Sequence, residues 1–201
     1  FCTIEPNEAR IAIPDERFEW LADHWNPVSR VSAYLEVWDI AGLVKGAHEG
    51  QGLGNAFLSN IQAVDGLFHV CRAFSDEEVI HVEGEVDPVR DLEIIFNELR
   101  LKDLDRLSKL LPEAEAKVAR AGNKCPAELR VATDTLRKAY TRLDVDKLPI
   151  RTADWSNAEA DVLNQHLLLT SKPSIYLINL SEKDYARKKN KWLSKVKEWI
   201  D

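Results

Sequence analysis

An aspartate and a glycine stand three positions apart where an apolar stretch of the sequence ends, at Asp39 and Gly42. A carboxylate at the end of a strand can hold a Mg²⁺ ion through water beside a bound nucleotide. A glycine at the second position lets its backbone N–H approach a terminal phosphate, because no side chain stands in the way. An aspartate in an ordinary turn after a strand explains the same tetrapeptide equally well. The pattern therefore indicates a phosphate and Mg²⁺ site only together with other features.

Three short apolar segments are the elements that must position such a site, at residues 33–38, 66–74 and 174–180. Their apolar residues run together rather than alternate, which predicts parallel strands covered on both faces. Segments with helical periodicity lie between them, at residues 54–64 and 159–169. This order of strands and helices predicts an α/β fold.

The middle of the chain carries two arms with the periodicity of a coiled coil. Apolar residues recur in steps of three and four through residues 104–121 and again through residues 129–143. The joint at residues 122–126 contains Gly, Asn and Pro, so the arms are expected to form an antiparallel helical hairpin. We expect Pro112 to start a new helix or to kink the first one. Two ordinary helices packed into the α/β core are the alternative to a projecting hairpin.

Composition and charge exclude several classes of protein. The 201 residues are 45% hydrophobic and 30% charged, which is typical of a folded globular protein. The net charge of −7 gives the whole chain no electrostatic attraction to nucleic acid, so sequence-specific DNA is not an expected partner. The longest apolar runs are a handful of residues, far below the roughly 20 that span a bilayer, so no membrane partner is expected. Three cysteines without paired or metal-ligand spacing favour a reducing, cytoplasmic location.

A run of twenty residues from Asp39 to Leu58, DIAGLVKGAHEGQGLGNAFL, resembles the Obg branch of P-loop NTPases, and specifically the YchF or Obg-like ATPase family. Three further segments resemble that family, namely residues 1–7 (FCTIEPN), 81–88 (HVEGEVDP) and 179–184 (NLSEKD). The resemblance extends over the whole chain and is thin through the helical hairpin.

The resemblance implies a Ras-like nucleotide-binding core interrupted by a helical insertion and followed by a TGS domain. We therefore expect a partial Ras-like sheet in three parts: a first part of the core at residues 1–90, the hairpin insertion at 91–148, and the remaining core at 149–201. The phosphate-loop pattern G-x-x-x-x-G-K-[ST] does not occur in these residues, and the chain contains no Met. The sequence is expected to be a piece of a longer protein, with the phosphate loop upstream and the TGS domain downstream.

Three residues match the family's metal and phosphate positions. The resemblance implies that the hydroxyl of Thr3 completes the Mg²⁺ shell and that Asp39 holds a metal-bound water. It also implies that Gly42 touches the γ-phosphate and orders the following loop in the triphosphate state, as switch segments of this class do. Mg²⁺ is accordingly the expected cofactor, with ATP as substrate.

The residue after this glycine, Leu43, departs from the Ras pattern, in which a Gln orients the attacking water. Leucine has no hydrogen-bonding group, so another residue must position the water. His81 is the first candidate because a neutral imidazole can accept a hydrogen bond from water near pH 7, and His48 is the alternative. A purely structural role is the competing interpretation for either histidine.

Asn179, Leu180 and Glu182 occupy the place where GTPases carry Asn-Lys-x-Asp. In those proteins the Asp accepts both N–H donors of guanine, whereas here the fourth position is Glu and the second is Leu. The resemblance implies that Asn179 shapes the base pocket and that the Leu180 backbone faces the exocyclic amine of adenine. ATP is therefore expected to bind better than GTP.

The resemblance thus implies a Mg²⁺-dependent ATPase that switches with nucleotide state and associates with ribosomes. Residues 183–197 contain seven basic residues and one acidic residue. The basic side chains of this segment form either an ordinary solvated surface or a contact for ribosomal RNA. Two alternatives remain open: a non-catalytic interaction module that acts through the hairpin, and a GTPase that reads guanine with other residues.

Overall fold

The computed structural model describes residues 7–40, 59–76, 81 and 84–201. The chain divides into two compact units, Phe1–Gly42 and Leu43–Asp201, and each is described by itself. The division into core, hairpin insertion and remaining core at residues 1–90, 91–148 and 149–201 stays a prediction. Thr3, Gly42, Leu43 and His48, which the sequence singles out, lie outside the described residues.

The first unit is an antiparallel pair of strands with one helix in the connection. Strand β1 (Asn7–Ala12) pairs with β2 (Tyr34–Asp39), and Asn7 lies opposite Asp39. Helix α1 (Glu16–Trp25) lies between them and begins where the Asp15 side chain accepts a hydrogen bond from the Arg17 N–H at 2.9 Å. The strand predicted at residues 33–38 is present as β2. The sequence predicts a parallel strand, whereas among the described strands β2 pairs with β1 in the antiparallel direction.

The second unit contains a parallel pair, β3 (Leu67–Arg72) and β4 (Ser174–Asn179), in the register Leu67 to Ser174. One face of this pair is buried, where Cys71 packs with Leu92 and Val196. The prediction that both faces of these strands are buried is wrong for the described residues, because the helices pack against only one face of the pair. The exposed side carries large apolar side chains, namely Phe68, Val70, Ile175 and Leu177.

The predicted antiparallel hairpin is present. Helix α2 (Pro88–Ala121) leads through a 3-10 turn at Gly122–Lys124 into α3 (Ala127–Asp144). Two contacts join the arms in antiparallel order: Arg137 bonds to Glu115 at 2.9 Å, and Arg100 donates to the Leu143 carbonyl at 2.9 Å. Pro112 lies inside α2 and starts no new helix.

The hairpin packs against a third helix, α4 (Asn157–His166), which begins with a reciprocal capping box between Ser156 and Glu159. The apolar seam of the hairpin therefore also forms a globular core. The buried members of this core are Leu107, Leu136, Ala139, Leu143, Ile150, Leu163 and Leu168.

A short 3-10 turn, Leu169–Ser171, connects the hairpin to the sheet. The buried Asp103 side chain on α2 accepts hydrogen bonds from the Leu169 and Thr170 N–H groups, each at 2.8 Å. The next residue, Lys172, donates to the carbonyls of Gln62 and Val64, which close the helical residues 59–63. The turn before β4 is thus tied to two other elements.

The chain continues from β4 into two short helices, α5 (Glu182–Arg187) and α6 (Leu193–Ile200). In α6, Val196 is buried and packs with Cys71 of β3. None of the helices in the described ranges has the length and apolar character needed to cross a bilayer.

Candidate nucleotide-binding site

The carboxyl ends of β3 and β4 lie side by side, with Arg72 opposite Asn179. The pairing continues one step past the strands, because the Ala73 N–H donates to the Asn179 carbonyl at 2.9 Å. In open α/β sheets, ligands bind outside the carboxyl ends of parallel strands. The motif that the sequence assigns to base recognition therefore begins at the edge where this class of fold binds its ligands.

The turn after β4 is held by a helix cap. Ser181 is extended, and its side chain accepts a hydrogen bond from the Asp184 N–H at 3.2 Å, so that α5 begins at Glu182. Asn179 and Glu182 are exposed, and Leu180 is half-buried. The two polar side chains of the motif are therefore accessible from solvent.

Asn190 forms hydrogen bonds to both segments that follow β3 and β4 at this edge of the sheet. Its Nδ2 donates to the Ala73 carbonyl at 2.9 Å and to Asp184 Oδ2 at 2.8 Å, and so joins the loop after β3 to α5. Its Oδ1 accepts from the Trp192 N–H at 2.8 Å. Nothing in the sequence singles out Asn190, because it stands in a run of lysines and its partner Ala73 is 117 positions away.

The His81 carbonyl accepts a hydrogen bond from the Gly84 N–H at 3.0 Å. Gly84 has φ +84, a backbone conformation that glycine adopts without strain. The His81 Nε2 atom lies 2.9 Å from Asp91 Oδ2, in the first turn of α2. The sequence singles out His81 and misses Asp91, because ten positions of separation across a turn and a helix start carry no local pattern.

Asp39 is the last residue of β2, as the sequence predicts, and its side chain is exposed. In the described ranges no group of three or more His, Cys, Asp and Glu side chains is arranged to hold a metal ion. A Mg²⁺ ion that arrives with a nucleotide needs only one or two protein carboxylates, since phosphates and water supply the other ligands. An exposed Asp39 carboxylate fits that requirement.

Two titratable side chains of β3, His69 and Cys71, have pKa values shifted by burial. Burial, aided by the positive charge of Arg151, lowers the pKa of His69 to about 4, and the ring stacks on Tyr176 at 5.1 Å between centroids. Burial also raises the pKa of the Cys71 thiol to about 11, and the charge of Asp91 adds to this shift. His69 is therefore neutral and Cys71 protonated near pH 7, which fits packing roles for both.

The basic segment surrounds one aromatic ring. The Lys191 and Lys195 ammonium groups lie 4.9 and 5.2 Å from the centre of the Trp192 ring. The remaining basic side chains of the segment are also exposed, namely Lys183, Arg187, Lys188, Lys189 and Lys197. This end of the unit presents positive charge to solvent.

Comparison with known proteins identifies the family. A model of the family described as 50S ribosome-binding GTPase matches residues 1–102. The chain is 58% identical over its whole length to Obg-like ATPase 1 of Caenorhabditis elegans and 54% identical to that of Homo sapiens, and it spans about half the length of each.

A solved structure, the YchF GTPase of Schizosaccharomyces pombe, has 50% sequence identity and a TM-score of 0.77, covering all of this chain and 53% of that one. This likeness confirms the α/β class with a partial P-loop NTPase sheet and an inserted helical hairpin. The chain belongs to the 50S ribosome-binding GTPase family and, within it, to the Obg-like ATPases of the YchF type.

Proposed function

We propose that the full-length natural protein hydrolyses ATP to ADP and phosphate with Mg²⁺, prefers ATP to GTP, and changes partner affinity with its nucleotide state. The proposal is supported by the family and by the position of the base-recognition motif at the carboxyl edge of the β3–β4 pair. In this proposal the hairpin at residues 91–148 is an insertion between the two parts of the nucleotide-binding core.

The observation that carries the preference for ATP is the placement of Leu180 and Glu182 directly after β4. Guanine is read by a carboxylate that accepts from two N–H donors at once, and a site built on such hydrogen bonds strongly rejects bases that lack them. A Glu at the first position of α5, with Leu in place of Lys, departs from that arrangement. Asn179 then shapes the pocket, and the Leu180 backbone faces the amine of adenine.

The family supports the residue roles that we propose at the phosphates and the Mg²⁺ ion. Asp39 holds a metal-bound water, Thr3 completes the Mg²⁺ shell, and Gly42 contacts the γ-phosphate. The ion supplies charge neutralisation at the phosphates when it is bound. Leu43 cannot orient the attacking water, and His81 takes that role, with its imidazole accepting a hydrogen bond from the water.

The test of base preference is competition of ATP and GTP against a fluorescent nucleotide on the full-length natural protein. We expect ATP to compete better, and the double variant Leu180→Lys/Glu182→Asp to shift the preference at least about tenfold toward GTP. Lys183→Ala, on an exposed neighbour, is the matched control and keeps the preference. Tighter GTP binding by the unchanged protein would favour the GTPase alternative, and binding of neither nucleotide would favour the non-catalytic interaction module.

We also propose that the basic segment contacts ribosomal RNA, which agrees with a cytoplasmic location. The supporting observation is the exposed positive surface of α5 and the following turn, in a chain whose family is named for ribosome binding. In ribosome co-sedimentation, Arg187→Gln/Lys188→Gln/Lys189→Gln should weaken binding and reduce its salt dependence. Lys109→Gln, on α2, is the control for loss of charge elsewhere. Unchanged binding by the triple variant would show that another face meets the ribosome.

A further inference from the structure

Asn190 uses both polar atoms of its side chain to join three segments at the carboxyl edge of the β3–β4 pair. Its Nδ2 atom donates to the Ala73 carbonyl at 2.9 Å and to Asp184 Oδ2 at 2.8 Å, and its Oδ1 atom accepts from the Trp192 N–H at 2.8 Å. A carbonyl and an ionised carboxylate only accept hydrogen bonds, and a backbone N–H only donates, so these partners fix the orientation of the amide. Aspartate at this position would lack both donors, and leucine would lack the acceptor as well.

The contact with Trp192 anchors Asn190 to the core. Trp192 is the residue before α6, and Val196 of that helix packs with Cys71 of β3. Lys188, at the end of α5, has φ 51, which is the left-handed conformation that often ends a helix and reverses the chain. The chain therefore returns from α5 toward the sheet and brings Asn190 between α5 and the start of α6.

Two hydrogen-bonded routes lead from Asn190 to the proposed base-recognition motif. On the strand side, Ala73 accepts from Asn190 through its carbonyl and donates through its N–H to the Asn179 carbonyl at 2.9 Å. On the helix side, Asp184 accepts from Asn190 through its side chain and donates through its N–H to the Ser181 side chain at 3.2 Å. The motif therefore begins beside one partner of Asn190 and ends beside the other.

We propose that Asn190 is a positioning residue for nucleotide recognition, which holds the start and the end of the base-recognition motif in one relative arrangement. This inference rests on the function proposed above for Asn179 and Glu182. A turn without such support occupies several conformations, and its apparent affinity for a ligand falls with the fraction that fits the ligand. Asn190 therefore acts on affinity and on the choice of base, and not on the chemical step, which takes place at the phosphates.

The experiment measures ATP and GTP affinity by competition, and single-turnover hydrolysis at saturating ATP, on the full-length natural protein with Mg²⁺. We expect Asn190→Ala to weaken ATP binding about tenfold and to reduce the preference for ATP over GTP, because the base that fits the pocket best loses most. The rate at saturating ATP should stay within about twofold.

Two variants of the hairpin and its core are the controls. Asn97→Ala removes an exposed amide of α2 that accepts one hydrogen bond from Arg100, and it should leave affinity and preference unchanged. Leu163→Ala removes buried atoms of the hydrophobic core and lowers stability, and it should keep the ratio of ATP to GTP affinity. A change in that ratio therefore distinguishes positioning of the motif from a general loss of stability.

Asp184 supplies a second test that leaves Asn190 in place and is available if Asn190→Ala does not fold. Asp184→Asn keeps an oxygen that can accept from Asn190 and should bind ATP within about twofold of the unchanged protein. Asp184→Ala removes the acceptor and should weaken ATP binding. Because the two side chains share a hydrogen bond, Asn190→Ala/Asp184→Ala should lose less affinity than the sum of the single losses. Additive losses would overturn the route through Asp184.

The outcomes separate this inference from the function on which it rests. Unchanged affinity and preference in a folded Asn190→Ala, or a slower rate at saturating ATP with unchanged affinity, would overturn the role of Asn190. Leu180→Lys/Glu182→Asp tests the motif itself. An unchanged preference in that variant would overturn the proposed base recognition and with it the role of Asn190, whereas a shifted preference there beside an unchanged Asn190→Ala would overturn only the role of Asn190.

Discussion

Asp103 and Thr170 are 67 positions apart, yet both the backbone N–H and the hydroxyl of Thr170 donate to the same oxygen of the Asp103 side chain, at 2.8 and 2.7 Å. The Leu169 N–H donates to the other oxygen at 2.8 Å. Asp103 is 2% exposed, and its carboxylate joins α2 to the turn before β4. The strand that leads to the proposed base-recognition motif therefore begins from a turn that is held by the hairpin.

We expect Asp103→Asn to lower the free energy of unfolding by about 1–3 kcal/mol at pH 7, because its NH₂ group would face N–H donors where an acceptor is required. Urea denaturation followed by circular dichroism measures the change. Asp105→Asn, on an exposed side chain of the same helix, should change stability by less than about 0.5 kcal/mol. Equal stabilities of the two variants would contradict the importance of this contact.

The same carboxyl gives a pH dependence with a defined sign. Burial raises the pKa of Asp103 to about 6, although the hydrogen bonds from Thr170 and Leu169 oppose the shift. Because the folded pKa lies above the unfolded one, its stabilising contribution is complete below about pH 4 and is lost as the pH rises through about 6. The gap in stability between the unchanged protein and Asp103→Asn should therefore be larger at pH 4 than at pH 7.5, and a constant gap would contradict this assignment.

His69 should act in the opposite direction. Burial lowers the pKa of His69 to about 4 in the folded protein. Between about pH 6.5 and pH 4, His69 is therefore protonated in the unfolded chain and neutral in the folded one. Stability is therefore lost as the pH falls from about 6.5 to about 4, by up to about 3 kcal/mol. His69→Phe keeps a ring against Tyr176 and should reduce this acid loss, measured as urea midpoints across the pH range. His24→Phe, in the first unit, is the histidine control and should leave the loss in place.

Lys172 supplies two hydrogen bonds that no apolar side chain can replace. Its Nζ atom donates to the Gln62 carbonyl at 3.1 Å and to the Val64 carbonyl at 2.5 Å. Lys172→Met keeps the length of the side chain and removes the donors, so we expect a loss of about 1–3 kcal/mol. Hydrogen exchange should show faster opening of residues 59–63. Lys109→Met, on an exposed side chain, should leave that exchange unchanged.

Leu163 tests whether the hairpin depends on α4. Its side chain is 5% exposed and belongs to the same cluster as Leu107 and Leu143. Leu163→Ala should therefore cost about 2–5 kcal/mol, through lost burial and a residual cavity. Leu167→Ala removes the same atoms from a side chain that is 51% exposed and should cost far less. Similar losses in thermal and urea unfolding for both variants would contradict the packing described here.

Elements with a strong local signal could be predicted from the sequence. The steps of three and four located both arms of the hairpin, and Gly122 and Pro126 located the turn. Asn179 and Leu180 were placed correctly at the end of a strand, because an apolar run that meets a polar cluster is a local feature.

Contacts between distant segments could not be predicted. The pairs His81–Asp91 and Asp103–Thr170 depend on how helices and turns pack, and nothing beside Asp91 or Asp103 in the sequence distinguishes them from surface carboxylates. Among the described residues, one face of the β3–β4 pair is exposed where the sequence predicts burial on both faces, and this difference has a related cause. An apolar run such as that of β3 indicates burial, but it does not say which element supplies the cover.

The parallel pairing of β3 with β4 has a consequence for folding kinetics. About one hundred residues separate the end of β3 from the start of β4, so the pairing closes a long loop and carries its entropy cost. The arms of the hairpin meet through a five-residue joint and can associate early. We expect pulse-labelled hydrogen exchange to show amides of α2 and α3 protected before those of β3 and β4; simultaneous protection would contradict this order. The sheet edge that carries the proposed base-recognition motif would then form late, after the hairpin has folded.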